Sequence, residues 1–301
     1  MSRAIVVATA LLVAVPLQAQ DYEVRLKKAW VIAFADRTSM DATMDVRWAH
    51  SAPNEWKDDG DLHFSGVSPD VGLPFVAEVV NARLPGEKAA VDTIKNHQHS
   101  QNGALAIRGA WRLWFEHPST RQTQGSKTDP FDPNTTNPDH SFEIHPVSRV
   151  GPIDLGGSFI PITSYSAQTA DVAFPYYDKK RVTIKASKSG ISIRSGKVYY
   201  NYVDFRIELA DEPTAVSDGF VVDARVLDAN GKDVAKDLRR MIFVGGTRAA
   251  DAIQHASTGD RLHVLGIPRI SLNKVLTMVQ IHGTKKFDDD LPYEMIIVGV
   301  F

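Results

Sequence analysis

The chain has 301 residues, 43% hydrophobic and 23% charged, which is the composition of an ordinary globular protein and a length sufficient for two domains. Its formal net charge of −2 excludes a general electrostatic attraction to nucleic acid or anionic lipid, so either partner would need a local basic patch. The absence of cysteine excludes disulfides, a thiol nucleophile and a thiolate metal site.

The first residues have the pattern of a secretory signal peptide. Arg3 precedes an apolar run over residues 4–15, and the small residue Ala19 suits cleavage before Gln20. This run is too short to span a bilayer, and no later segment approaches the ~20 apolar residues that spanning requires. Cleavage would remove one arginine and no acid, which changes the formal net charge from −2 to about −3. We expect a periplasmic or secreted protein with a signal peptide over residues 1–19 and no transmembrane segment.

Strand patterns dominate residues 20–150, which we predict to be the first domain. Turn-forming Asp, Pro and Gly residues separate the strands, and a helix pattern over residues 86–99 precedes the longest of them. The predicted strands cover residues 44–48, 61–66, 75–81, 104–115 and 141–150.

Strand patterns also dominate residues 151–301, which we predict to be the second domain. The Gly and Pro residues of segment 151–157 interrupt the strand pattern and indicate the boundary between the two domains. A short helix pattern covers residues 247–257. The predicted strands cover residues 181–186, 190–194, 199–209, 220–227, 241–245, 260–265 and 295–300.

An internal echo links the two halves. Residues 93–109 and residues 252–266 both read as a helix, a turn and a strand that ends in glycine. One helix before a late strand, among several short strands, is typical of the small closed barrel of the OB type. We therefore predict an all-β chain, mainly β with one or two short helices, that forms two tandem OB-like barrels; the alternative is a chance similarity between two β-rich segments.

Ligand-capable side chains occupy alternate positions of two predicted strands. Asp59, Asp61 and His63 share one face of an extended chain, and Glu143 and His145 share one face of another. If the two strands lie in one barrel, their carboxylates and imidazoles can converge, and such donors suit Ca²⁺, Mg²⁺, Mn²⁺ or Zn²⁺. Two plainer interpretations stay open: the two aspartates shape a turn around Gly60, and His145 is a structural histidine.

Glu78 and two arginines add to this set. Glu78 interrupts an apolar run, so its carboxylate is either buried with a partner or faces a cavity. Arg108 and Arg112 share one face of the strand over residues 104–115, where they can bind an anionic ligand or form a solvated surface.

These segments carry a family resemblance. The stretch from Asp59 to His63, the apolar run ending in Glu78, and the Glu143-Ile144-His145-Pro146-Val147 strand resemble a pattern in poorly characterised exported bacterial OB-like proteins. The resemblance covers residues 41–150 and implies a polar site but no settled activity. A weaker likeness is to nucleases of the staphylococcal type, where an Asp-Gly-Asp segment contributes to a calcium site; here Leu62-His63 replaces the Thr expected after the second Asp.

Two functions remain in view. The first is a metal-dependent hydrolase of phosphodiesters, in which the ion polarises the phosphate and activates water. Its predicted metal ligands are Asp59, Asp61, Glu143 and His145. Its predicted catalytic residues are His63 or Glu78 as general base, and Arg108 or Arg112 as the group that neutralises developing charge. The second is a non-catalytic exported protein that binds an oligosaccharide, a peptide or a partner protein.

Overall fold

The computed structural model describes residues 21–126 and 133–301. The predicted signal peptide and its cleavage after Ala19 lie outside the described residues. Within those residues, no helix combines the length and the apolar character needed to cross a lipid bilayer.

Short strands make up most of the regular structure. In the first half the elements are β1 (Tyr22–Lys27), α1 (Lys28–Phe34), β2 (Met40–Ala49), β3 (Leu62–Val67), β4 (Pro74–Val79), α2 (Lys88–Asn96), β5 (Leu105–His117), β6 (Arg121–Thr123), β7 (His140–Val150) and β8 (Ile153–Asp154).

In the second half the elements are β9 (Gln168–Thr169), α3 (Ala170–Tyr177), β10 (Arg181–Ala186), β11 (Gly190–Ser195), β12 (Val203–Leu209), β13 (Thr214–Val216), β14 (Gly219–Leu227), β15 (Arg239–Val244), α4 (Arg248–Ile253), β16 (Arg261–Ile270), α5 (Leu272–His282), β17 (Phe287–Asp290) and β18 (Tyr293–Val300).

The first barrel closes through five strands. β2 pairs antiparallel with β3, and β3 with β4; β4 then pairs parallel with β7, and β7 antiparallel with β5, which returns to β2. Helix α2 connects the third and fourth strands of this barrel. This strand order, with the last strand between the third and the fourth, is that of the OB fold.

The second barrel repeats that order with different strands. β12, β14 and β15 form an antiparallel run, β15 pairs parallel with β18, and β18 pairs with β16, which returns to β12. Helix α4 again connects the third and fourth strands. The predicted all-β class with two tandem OB-like barrels is thereby confirmed, and the internal echo marks equivalent helix–strand units of the two barrels. The helices are more numerous than predicted, since α1, α3 and α5 accompany α2 and α4.

A third sheet joins segments from both halves of the chain, in the order β17-β10-β11-β1-β6. β1 pairs antiparallel with β11 and parallel with the three-residue strand β6. Strand β1, which precedes the first barrel, therefore pairs with β11, which precedes the second barrel, so the two predicted domains are joined by hydrogen-bonded strands.

The two barrels also share a buried polar contact. The guanidinium of Arg269, on β16, lies 3.6 Å from the ring centroid of Trp111, on β5. It pairs with Glu294 at 2.7 Å and donates to the carbonyl oxygens of Arg37 and Trp111 at 3.0 and 3.1 Å. Such a fully paired guanidinium can be buried without an unsatisfied charge, and it fixes β5 against β16.

Candidate functional site

The polar faces of neighbouring strands meet on one side of the first barrel. His63 on β3 lies opposite Glu78 on β4, and Val76 on β4 lies opposite Glu143 on β7. The alternate positions of the same strands are apolar and buried: Leu62, Phe64, Ala77, Val79, Phe142 and Ile144. The alternation of side chains along each strand therefore separates the polar site from the apolar core.

Four side chains form a buried group that we call the acid–imidazole cluster: Asp61, His63, Glu78 and His145. Glu78 Oε2 lies 3.2 Å from His145 Nδ1 and 3.4 Å from His63 Nε2. Asp61 Oδ2 lies 3.5 Å from His145 Nε2. The segment around Asp61 and the segment around His145, which are far apart in sequence, thus face a common space.

The second half of the chain covers this cluster. Tyr202, which directly precedes β12, donates its hydroxyl hydrogen to Asp61 Oδ2. Its oxygen lies 2.8 Å from His145 Nε2. Tyr202 is fully buried, as are Asp61 and His145, so the cluster becomes an interior site only when the second barrel is in place.

Glu143 belongs to a neighbouring ion-pair network. Its Oε2 lies 2.5 Å from Arg112 Nη1, and its Oε1 lies 2.9 Å from His140 Nε2. Arg112 also pairs with Glu116 at 3.1 Å and donates to the carbonyl oxygen of Pro268 on the second barrel at 2.9 Å. Its guanidinium is fully buried and engaged on three sides, so it is not available to a substrate in this arrangement.

Burial and charge shift the pKa values of the cluster in different directions. Burial raises the pKa of the Glu78 carboxyl to about 8, and it also raises that of Asp61. Burial lowers the pKa of His63, which favours a neutral imidazole. Burial alone would lower the pKa of His145, but the carboxylates of Glu78 and Asp61 outweigh it and raise that pKa to about 10.

Several buried atoms of the cluster lack a hydrogen-bond partner of acceptable geometry. They are Asp61 Oδ1, Glu78 Oε2, both ring nitrogens of His63, and His145 Nδ1. Buried polar atoms are almost always paired, so a concentration of such atoms in one place requires an explanation. The described residues include two groups able to hold a metal ion, one of Asp61, Glu78 and His145, and one of Asp59, Asp61 and His63.

The predicted metal ligands are only partly brought together. Asp59, Asp61 and His145 belong to these groups. Glu143 Oε2 lies 3.4 Å from His145 Nδ1, but the Glu143 carboxylate is also paired with Arg112 and His140. Asp59 also shapes the turn before β3, since it has a φ of 101° and its Oδ1 accepts from the backbone N–H of Asp61 at 3.0 Å.

Of the two predicted arginines, the structure brings only Arg112 to this region. The pairing of β5 with β7 is irregular on both sides of Gly109. A β-bulge shifts the register and redirects the side chains beyond it. Arg108 accordingly lies apart from the cluster, where it donates to Ser39 Oγ at 3.3 Å and faces Asp41 at 3.8 Å.

Sequence reasoning missed two residues of the site, Tyr202 and His140. Tyr202 lies 141 positions from Asp61, so no local pattern connects the two. His140 is on the same strand as Glu143 and pairs with it at a spacing of three residues. A histidine at the start of a strand that already carries a Glu and a His was the available signal.

Comparison with known proteins adds little. No protein-family model and no curated protein matches this chain. Among solved structures, it is similar to a murine DNA-binding protein bound to double-stranded DNA, with a TM-score of 0.20 and 10% identity over 87% of this chain and 98% of that one. It is also similar to the HINa domain of Ifi202 in complex with 20-base-pair double-stranded DNA, with a TM-score of 0.18 and 11% identity over 85% of this chain and 95% of that one. TM-scores this low carry no argument, so the barrel assignment rests on strand order alone.

Proposed function

We propose that this protein binds a divalent metal ion at the acid–imidazole cluster and uses it to hydrolyse phosphodiesters. The observation that carries the proposal is the set of buried oxygen and nitrogen atoms of Asp61, His63, Glu78 and His145 that have no hydrogen-bond partner. Leaving a polar atom buried without a partner costs about 1–3 kcal/mol, and more if it is charged. A cation between these atoms would satisfy several of them at once.

The spacing of the donor atoms supports a metal ion. Two ligands that bind one ion at ~2.1 Å with a tetrahedral angle lie about 3.4 Å apart. The 3.2 Å between His145 Nδ1 and Glu78 Oε2 is close to that value. With His145 Nδ1 on a metal, its Nε2–H would donate to the Tyr202 hydroxyl, and metal-bound histidines usually have a hydrogen-bond acceptor on their other nitrogen.

The charge balance supports the same conclusion. Within the described part of the chain, the ion pairs of Asp61 and Glu78 are with imidazoles alone, whereas Glu143 and Glu116 pair with the guanidinium of Arg112. Mixed imidazole and carboxylate donors favour Zn²⁺ or Mn²⁺ over Ca²⁺ or Mg²⁺. The ion would polarise a phosphoryl oxygen and lower the pKa of a bound water.

The chain's own residues define where a substrate would enter. Asp61, Glu78 and His145 are buried, whereas the His63 side chain is 12% exposed and Asp59 is partly exposed. A phosphodiester would therefore approach from the His63 edge. His63, whose lowered pKa keeps the ring neutral near pH 7, would accept a proton from water there as general base.

Turnover by metal-stripped and reloaded protein tests the proposal. The chain is treated with chelator, dialysed, and assayed with bis(p-nitrophenyl) phosphate and with single- and double-stranded oligonucleotides in Mg²⁺, Ca²⁺, Mn²⁺ or Zn²⁺. We expect Zn²⁺ or Mn²⁺ to restore activity, and Glu78→Gln to lower it by at least about 100-fold. The matched control is His263→Gln, since His263 pairs with Asp204 on the second barrel. Absence of turnover with every ion, or full turnover by a His145→Ala variant, would remove the hydrolase proposal.

A second function has an observation of its own. The raised pKa of His145, about 10, gives an imidazolium that can balance the charge of Asp61 without any metal, while Glu78, whose pKa is raised to about 8, keeps its proton near pH 7. In that case the cluster is a buried ionic network in a non-catalytic exported protein that binds an oligosaccharide, a peptide or a protein. A melting temperature that is unchanged by chelator would favour this function, because a bound ion stabilises the folded state by mass action.

A further inference from the structure

The five-stranded sheet has one apolar face, and its opposite face carries a cluster of cationic side chains. Val24 and Leu26 of β1 and Ile191 and Ile193 of β11 are buried on the inner side. The outer side lines a pocket of about 270 Å³. The residues lining this pocket, which we call the basic pocket, are Glu23, Arg25, Arg121, Thr183, Lys185, Ser192, Arg194 and Lys286.

Strand register arranges these side chains as two adjacent rows. One row runs Thr183, Arg194, Glu23 and Arg121 across β10, β11, β1 and β6. The next row runs Lys185, Ser192 and Arg25 across the first three of these strands. Neighbouring strands lie about 4.8 Å apart and alternate residues share a face, so the cationic groups stand over a common concave surface.

Glu23 holds two of the arginines in place. Its carboxylate accepts from Arg25 Nε and Nη2 at 2.9 and 3.1 Å, from Arg121 Nε at 3.2 Å, and from Ser192 Oγ at 2.5 Å. Burial opposes its charge, but these partners outweigh burial and lower the pKa of Glu23 to about 2. The carboxylate therefore stays ionised and orients both guanidinium groups, which reduces the entropy that a ligand would otherwise lose on ordering them.

Among the described residues, the other three cations of the pocket have at most one distant acidic partner. Within the described residues, no carboxylate lies within ion-pairing distance of Lys185 or Lys286, and the nearest carboxylate oxygen to Arg194 is that of Asp21 at 3.9 Å. Arg194 Nε is buried without a hydrogen-bond partner. Five cationic groups and one carboxylate line the pocket, in a chain whose formal net charge is −2.

We propose that the basic pocket binds a phosphate group, either of a small free phosphate or of a nucleic-acid strand. Guanidinium groups match the geometry of phosphate oxygens, and a doubly charged oxyanion suits a pocket whose lining has more cationic side chains than carboxylates. The hydroxyls of Ser192 and Thr183 donate to Glu23 and Asp288, so the contacts to a phosphate would come from the cationic side chains. This site is separate from the acid–imidazole cluster and does not depend on its proposed activity.

Calorimetric titration with inorganic pyrophosphate and with a single-stranded 20-mer DNA tests the site, in low salt and with chelator present. The test variant is Lys185→Ala/Lys286→Ala, which leaves the Glu23 contacts intact. The matched control is Lys57→Ala/Lys232→Ala, which removes two exposed lysines that do not line the pocket. Circular dichroism and thermal melting confirm that each variant is folded.

We expect binding by the wild type and the control, with a Kd at least about 10-fold weaker for the test variant, and binding that persists in Glu78→Gln. Binding of pyrophosphate identifies a free phosphate as the ligand; binding of the strand alone identifies the phosphates of a polymer. In the strand case the salt dependence of the Kd should also be less steep for the test variant. Absence of binding by the wild type, or equal Kd values for the test and control variants, would overturn the proposal.

Discussion

The hydroxyl of Tyr202, at the start of the second barrel, donates to the carboxylate of Asp61 on the first barrel. The same oxygen lies 2.8 Å from His145 Nε2. Because the hydroxyl hydrogen is used on Asp61, the Nε2–H of His145 donates to the Tyr202 oxygen, and Tyr202 in turn donates to Asp61. This chain of hydrogen bonds makes the second barrel part of a site whose other members are all on the first.

Tyr202→Phe should destabilise the protein through Asp61. The substitution keeps the ring and removes the one hydroxyl that solvates a fully buried carboxylate, so we expect a loss of about 1–3 kcal/mol in the free energy of unfolding. Urea denaturation at pH 7 measures it. Tyr199→Phe is the control, because that side chain is 52% exposed. Equal stability of the two variants would show that the hydrogen bond to Asp61 contributes nothing.

Removing Arg112 should cost more than removing Arg112 and Glu143 together. Arg112→Met leaves the Glu143 carboxylate buried without its main counter-charge, which should cost about 3–5 kcal/mol. Arg112→Met/Glu143→Gln removes both charges, so its loss should be smaller. Chemical denaturation of the single and double variants gives the coupling energy. Strictly additive losses would contradict a direct ion pair between these residues.

Local periodicity explains what the sequence could predict. A period of two along the chain predicts that Asp61 and His63 share one face of their strand and that Glu143 and His145 share one face of theirs. The helix before a late strand predicts the OB-like barrel. Helix α5 was not among the predicted elements, although its sequence carries two helix signals. Ser271 caps its first turn by accepting from Lys274 N, and Leu272, Val275 and Val279 repeat at helical spacing on its buried side.

Long-range pairing explains what the sequence could not predict. The contact of Tyr202 with Asp61 depends on how the second barrel docks, and the three-residue strand β6 is recognised by its pairing with the distant strand β1. Arg108 and Arg112 are four positions apart on β5, so regular alternation would place both side chains on one face, but the irregular pairing at Gly109 separates them. Bulges of this kind have no residue-level signature beyond the glycine itself.

Glu87 should make the protein less stable as pH rises. Burial, with a smaller contribution from Asp154, raises the pKa of the Glu87 carboxyl from 4.5 to about 7. Between these values the folded chain keeps a proton that the unfolded chain has lost, so this group's contribution to stability is present at low pH and is lost as pH rises from 4.5 to 7.

Glu87→Gln should therefore stabilise the protein at pH 8 by up to about 1 kcal/mol, since water partly screens the charge, and should have little effect at pH 4. Thermal melting across this range measures the difference. Glu212→Gln, at an exposed position, is the control. A stabilisation that is equal at both pH values would contradict a buried, titrating carboxyl.

The metal content of protein purified without chelator tests the central claim most directly. Inductively coupled plasma mass spectrometry should find about one Zn²⁺ or Mn²⁺ ion per chain in the wild type and in His263→Gln, and less than about a tenth of that in Glu78→Gln. Wild-type protein without bound metal that also fails to take up either ion on dialysis would contradict the claim, as would equal metal content in wild type and Glu78→Gln.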